Sequence, residues 1–271
     1  MGLEREIMPR SESPYDFILR NGTLIDGSGR PAFKADLAIR ADRLAQIGDL
    51  EQATALREID VTGLVVAPGF IDVHTHDDAA VIACPEMTPK LTQGVTTVIG
   101  GNCGISGAPF SSVGDPPDLL RLVFKSDQFV SATFAGYLQK VRDAAPAINA
   151  AFLTGHTTLR MQVMGTDLNR SATSAEIAAM RDLFTQCLEQ GALGLSTGLF
   201  YPAARAASTQ EVIEVAKPLS AYQGIYVTHM RDEGDQVMDS LQESLQIGIL
   251  IPACGARFRV FWGAMCVSET C

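Results

Sequence analysis

The chain changes its hydrophobic rhythm near Leu64. Before it, short apolar runs alternate with turn residues; after it, continuous apolar runs alternate with long amphipathic stretches. In the first region Phe17–Arg20 and Thr23–Ile25 flank Asn21-Gly22, which predicts a hairpin. Asp26-Gly27-Ser28-Gly29 reads as another turn, and Ala35–Ile39 with Arg43–Ile47 as a second strand pair around Ala41-Asp42. A small β-unit over 15–63 is expected, preceded by an extension over 1–14.

Five apolar, strand-like runs follow: Leu64–His76, Val95–Cys103, Ala150–His156, Leu193–Leu199 and Ile225–Met230. Helical patterns lie between several of them. In Ser174–Gln190, Ile177, Met180, Leu183, Phe184, Cys187 and Leu188 recur at three- and four-residue spacing. Ser174 is the expected cap and Gly191 the expected stop. Strands that are apolar throughout, alternating with helices, predict a parallel sheet buried on both faces.

Two architectures fit that alternation, a doubly wound sheet and a (β/α)8 barrel of the TIM type. The polar residues favour the barrel. His74, His76, Cys103, His156, Thr197 and His229 all fall at the C-terminal ends of their runs, where a barrel assembles its site. A doubly wound sheet gathers ligands at one switch point, usually after a glycine-rich first loop, and GxGxxG is absent.

Composition narrows the classes. Of 271 residues, 46% are hydrophobic and 19% charged, as in an ordinary globular domain. The formal charge of -10 argues against a nucleic-acid or anionic-membrane partner. The charged N-terminus has no signal-peptide core, and no apolar run is long enough to span a bilayer, so a cytoplasmic location is expected. Six cysteines without a secretory signal do not suggest a disulfide framework.

His74-Thr75-His76 ends a strand-like run, where residues two apart share a face, so both imidazoles could reach one ion; Asp72 points the same way one layer deeper. The plainer reading is two imidazoles bonded to loop backbone. Cys103, in Gly100-Gly101-Asn102-Cys103-Gly104, offers a soft anionic ligand able to bridge two divalent ions; alternatively it is a small buried residue in a glycine turn. His229, in Tyr226–Arg231, is a further candidate ligand, or a hydrogen-bonded structural histidine. His156 is read as a structural or supporting neighbour rather than a ligand. Two candidate metal positions suggest water activated for attack on an amide carbonyl, with a carboxylate carrying its proton to the leaving amine. No carboxylate at a strand end fits that last role; Asp77 and Asp78 follow the histidines directly.

Together these stretches resemble the amidohydrolase superfamily, in particular its D-aminoacylase branch (N-acyl-D-amino-acid deacylases). The resemblance runs from about Tyr15 to Gly248 and rests on APGFIDVHTHDD, GVTTVIGGNCGISGAP, GHTTLR, GALGLSTGLFYPAARAAST and YVTHMRDEGD. It implies zinc, as one or two divalent ions, and a small-molecule N-acyl amino acid as substrate. It implies that His74 and His76 hold the weaker metal, that Cys103 bridges, and that His229 serves the tightly held zinc. Phe200 matches a residue lining the substrate side-chain pocket. The bridging cysteine replaces the carbamylated lysine of many relatives, and Leu193–Leu199 indeed has no lysine.

The chain departs from the family after Gly248. The histidine expected after strand six, the catalytic aspartate after strand eight and the residues that clamp the substrate carboxylate have no counterpart. Three more strand–helix units would need on the order of 90 residues at ~30 each, and fewer follow. The expectation is a partial barrel of about five strands over 64–248, with an atypical tail over 249–271. Two functions stay open: metal-dependent deacylation of N-acyl-D-amino acids, carried out by the full-length form, or a non-catalytic remnant that binds metal weakly or serves as an interaction partner. The acyl group, the D-side-chain preference and the oligomeric state are not legible.

Overall fold

The computed structural model describes residues 14–111, 118–121, 123–124 and 129–250. Nearly all of the expected N-terminal extension, and the tail beyond Leu250, lie outside them. The chain parts into two compact units, Met1–Gly69 and Phe70–Cys271.

The first unit is a sheet of β1 (Tyr15–Leu24), β2 (Phe33–Arg40), β3 (Arg43–Gly48), β4 (Ala55–Asp60) and β5 (Val65–Val66). Its order is β3-β2-β1-β4, with β5 also paired to β1. The expected pair around Ala41-Asp42 is present as antiparallel β2 and β3. The hairpin expected at Asn21-Gly22 is not there. β1 runs straight through those residues, and Arg20 and Asn21 together oppose Asp36 as a bulge. Asn21 takes the left-handed conformation, at φ 64°, that a bulge demands and asparagine tolerates. Pairing with β2 on one side and with β4 and β5 on the other holds the strand through the bulge.

The apolar run Leu64–His76 is therefore two strands. β5 belongs to the first unit, while β6 (Phe70–Asp72) pairs with β7 (Val95–Gly100) in the second. Pro68-Gly69 lies at the break. β8 (Asn149–Phe152) pairs with β7, and β9 (Thr154–Gly155) with β10 (Gly194–Gly198), which pairs with β11 (Ile225–His229). All these pairings are parallel. The β8–β9 run joins the two ladders: Leu153 N–H donates to Gly100 O at 3.0 Å, and Leu193 N–H to Phe152 O at 2.8 Å. The strands thus follow chain order, but the described residues do not close them into a barrel.

The longer helices are α1 (Phe134–Ala144), α2 (His156–Met164), α3 (Ser174–Glu189), α4 (Thr209–Ala216) and α5 (Val237–Leu250). The expected helix after Thr173 is α3, but its cap is Thr173 rather than Ser174. Thr173 Oγ1 accepts from Glu176 N–H, and the Glu176 carboxylate returns to the Thr173 N–H. A reciprocal box needs its acid three residues after the cap, and Ser174 has Ile177 there. Met180, Phe184 and Leu188 of α3 pack with Leu195, Val212, Val215 and Tyr226 in the larger core. A second core joins Val98, Phe134, Tyr137, Val141 and Phe152. All five residues of β10 are buried, as a strand covered on both faces requires. Among the described residues, no helix is long and apolar enough to cross a membrane.

Candidate metal centre

His74 and His76 follow β6 rather than end it, because the strand stops at Asp72. Strand alternation is thus not what brings their imidazoles together; their loop does, with ring centroids 5.8 Å apart. Asp72, expected one layer deeper, instead bonds Lys90 Nζ at 2.7 Å and accepts from His74 N–H at 3.3 Å. Lys90 also reaches Asp77, at 3.0 Å, so this lysine ties down the carboxylates on both sides of the histidine pair.

Cys103 lies in a turn that only glycines allow around it. Gly101, at φ 75°, would drive a Cβ into the carbonyl of Leu153. Gly104, at φ 77°, would bring one within 2.7 Å of Thr157 Oγ1. Cys103 itself has φ 54°, a strained value for a side-chain-bearing residue. Hydrogen bonds fix the turn: Gly101 N–H donates to Asp78 Oδ1 at 2.7 Å, Gly104 N–H to Ser196 Oγ at 3.0 Å, and Ser196 Oγ to Gly101 O. Asn102 Nδ2 donates to Ile99 O at 2.7 Å and to Thr75 O at 3.3 Å, joining the cysteine turn to the histidine loop.

These restraints aim the thiol at the imidazoles. Cys103 Sγ is 3.2 Å from His74 Nε2 and 3.8 Å from His229 Nδ1. One ligand atom each from His74, His76 and Cys103 lies within 4.8 Å of the others. Ligand atoms of one tetrahedral zinc, with Zn–N about 2.0–2.1 Å and Zn–S about 2.3 Å, sit roughly 3.3–3.6 Å apart; the 3.2 and 3.8 Å approaches to the thiol bracket that range, and the group as a whole is somewhat looser. His74 Nδ1 and His229 Nε2 are buried without a hydrogen-bond partner among the described residues. Two imidazoles beside a thiol, with a third within reach, are a soft, nitrogen–sulfur donor set suited to zinc.

Electrostatics agree with that chemistry. Burial, and then His229, push the His74 imidazole below its ordinary value. Partial desolvation and His74 do the same to His76. Both rings are thereby kept neutral, with lone pairs to offer. Burial pushes the Cys103 thiol up to about 11, so near neutral pH it ionises only when a bound cation stabilises the thiolate and the proton passes to solvent.

The other expected residues separate. Phe200 is 39% exposed, and its ring stands 5.4 Å from that of His229. His156 opens α2, fully buried, with Nε2 3.2 Å from Glu211 Oε1 and away from the cluster of ligand atoms. Sequence reasoning missed Tyr201, whose hydroxyl is 3.3 Å from His229 Nδ1, and Glu233, whose Oε1 is 3.5 Å from His229 Nε2. Burial, then Cys103, raise the Tyr201 phenol to about 12, so it keeps its proton.

Residues 57–249 match the model of the "Amidohydrolase family". The chain belongs to that family. Within it the chain falls in the D-aminoacylase branch. The chain is 53% identical over 242 residues to a D-aminoacylase of Alcaligenes xylosoxydans xylosoxydans, a match covering 89% of the chain and 50% of the relative. It superposes on the crystal structure of a D-aminoacylase with TM-score 0.85 at 50% identity, covering 89% and 50% of the two chains. An N-acyl-D-glutamate deacylase from Bordetella bronchiseptica, solved with zinc and a phosphonate mimic of the tetrahedral intermediate, gives 0.81 at 38% identity over 86% and 49%. The chain spans about half the length of these relatives.

Proposed function

We propose that this chain carries the metal-binding portion of a zinc-dependent deacylase of N-acyl-D-amino acids. The observation that carries the reading is the convergence of the Cys103 thiol with the His74, His76 and His229 imidazoles. His74 and His76 would hold one ion, His229 a second, and Cys103 would serve both. When bound, such ions supply Lewis-acid polarisation of an amide carbonyl and acidify water.

The chain's own residues add orientation. The exposed face of Phe200, beside His229, offers an apolar surface to a substrate side chain. The Tyr201 hydroxyl, still protonated, is a donor aimed at the space between Cys103 and His229. Among the carboxylates close in sequence to His74, His76 and His229, Asp72 and Asp77 are held by Lys90, Asp232 accepts from Gly234 and Gln236 N–H, Glu233 faces His229, and Asp78 accepts from Gly101 N–H through Oδ1 while its buried Oδ2 has no partner among the described residues. By the family resemblance, the general acid and the clamp for the substrate carboxylate fall to the stretch of the longer relatives that this chain does not match. Loss of a general acid costs roughly 10²–10⁴-fold, so these residues alone are expected to show no measurable turnover.

The test is a chimera in which residues 15–248 replace the matching half of the 53%-identical D-aminoacylase. It should release free D-amino acid from N-acetyl-D-methionine, not from the L-isomer, and Cys103→Ala should abolish the release. A folded, zinc-loaded chimera without activity, or one indifferent to Cys103→Ala, contradicts the reading.

A further inference from the structure

The two nitrogens of His229 face different surroundings. Nδ1 looks toward the Cys103 thiol, at 3.8 Å, and the Tyr201 hydroxyl, at 3.3 Å. Nε2 is buried, has no hydrogen-bond partner among the described residues, and lies 3.5 Å from Glu233 Oε1. A neutral imidazole has one lone pair and one N–H. If Nδ1 is to present its lone pair beside the thiol, the proton must sit on Nε2, where a buried donor without an acceptor is destabilising.

Glu233 is placed to be that acceptor. It stands four residues after His229, in the loop leaving β11. The loop is tied on both sides of it. Asp232 Oδ1 accepts from Gly234 N–H at 2.8 Å and from Gln236 N–H at 3.0 Å. Arg231 bonds Glu243 at 2.8 and 2.9 Å and the carbonyls of Arg205 and Ala207. The Glu233 carboxylate is thus delivered from a braced turn.

We propose that Glu233 is a positioning residue that holds His229 as the Nε2–H tautomer, leaving Nδ1 free to bind metal. The proposal rests on the metal-centre reading above. It concerns how one imidazole is oriented and takes no part in proton transfer to the substrate. Carboxylates and carbonyls bonded to the outer N–H of metal-binding histidines typically change metal affinity 10–100-fold when removed.

The test has two readouts. In metal-free protein, a long-range proton–nitrogen correlation spectrum of the four imidazoles, with His229→Ala to assign the signal, reports the tautomer directly. Wild type should show His229 protonated on Nε2, and Glu233→Ala should show a mixture of tautomers. Glu233→Gln, which keeps one acceptor oxygen and nearly the same shape, should fall between them. Zinc affinity, measured by competition with a chelator, should drop about 10–100-fold in Glu233→Ala and less in Glu233→Gln. An unchanged tautomer in Glu233→Ala overturns the proposal whatever the zinc result. So does zinc binding that depends on His229 yet changes less than about twofold in Glu233→Ala. If instead no zinc binding depends on His229, the metal-centre reading falls by itself, and the metal-free spectrum still decides whether Glu233 sets the ring.

Discussion

Glu211→Ala should destabilise the second unit more than the loss of any surface carboxylate. Glu211, on α4, is fully buried, as are His156 and Arg160. Arg160 donates to Glu211 Oε1, His156 Nε2 lies 3.2 Å away, and Ala172 N–H donates to Glu211 Oε2 at 3.0 Å. Three more guanidinium donors go to the carbonyls of Ala203, Leu168 and Arg170. Removing the carboxylate leaves a buried cation with carbonyl partners only and an orphaned amide. A buried pair broken on one side costs about 3–5 kcal/mol. With a urea m-value of about 3 kcal/mol/M, the midpoint should fall by roughly 1–1.7 M. The assay is urea unfolding followed by circular dichroism. Glu214→Ala, on the same helix but in a solvent-exposed pairing with Lys217 and Arg181, is the control and should cost under about 1 kcal/mol. The cluster also sets a pH dependence. Burial alone would raise the Glu211 carboxyl, but His156, Ala172 N–H and Arg160 outweigh it and hold it down to about 2. A lowered folded value means stability that is complete above the ordinary carboxylate range and lost as pH falls from about 4.5 toward about 2. Equal losses for Glu211→Ala and Glu214→Ala would refute the reasoning.

Zinc loading near neutral pH should release about one proton, because the Cys103 thiol, raised to about 11, must ionise while the lowered His74 and His76 imidazoles have none to give. Calorimetry in two buffers of different ionisation enthalpy measures this, and the release should vanish in Cys103→Ala. Thr173→Ala should cost about 1 kcal/mol in urea unfolding by opening the capping box, whereas Ser174→Ala should stay within about 0.5 kcal/mol.

His74, His76, Cys103 and His229 stand out in the sequence as candidate ligands because they sit in short motifs at the ends of strand-like runs. What the sequence hid were contacts without local spacing. Tyr201 looks like an ordinary aromatic after Phe200, and Glu233 like one acid in the acidic loop Asp232–Asp235. Only the folded chain brings them to opposite sides of the His229 ring. His156 and Arg160 meet Glu211 across some fifty residues of sequence, which no periodicity reports. Two local signals are overridden by long-range pairing. Asn21-Gly22 carries the strongest hairpin signature, yet pairing on both sides of β1 makes it a bulge. Leu64–His76 is apolar enough to read as one strand, yet Pro68-Gly69 divides it between two units. In both cases the partner strands, which sequence periodicity does not contain, decided the outcome.

The central claim is that one thiol and its neighbouring imidazoles form a zinc centre on this chain. X-ray absorption at the zinc edge of the zinc-loaded protein tests it most directly. A sulfur neighbour at about 2.3 Å with nitrogen at about 2.0–2.1 Å, the sulfur lost in Cys103→Ala, is the result expected. A shell of light atoms only, unchanged by Cys103→Ala, would contradict it.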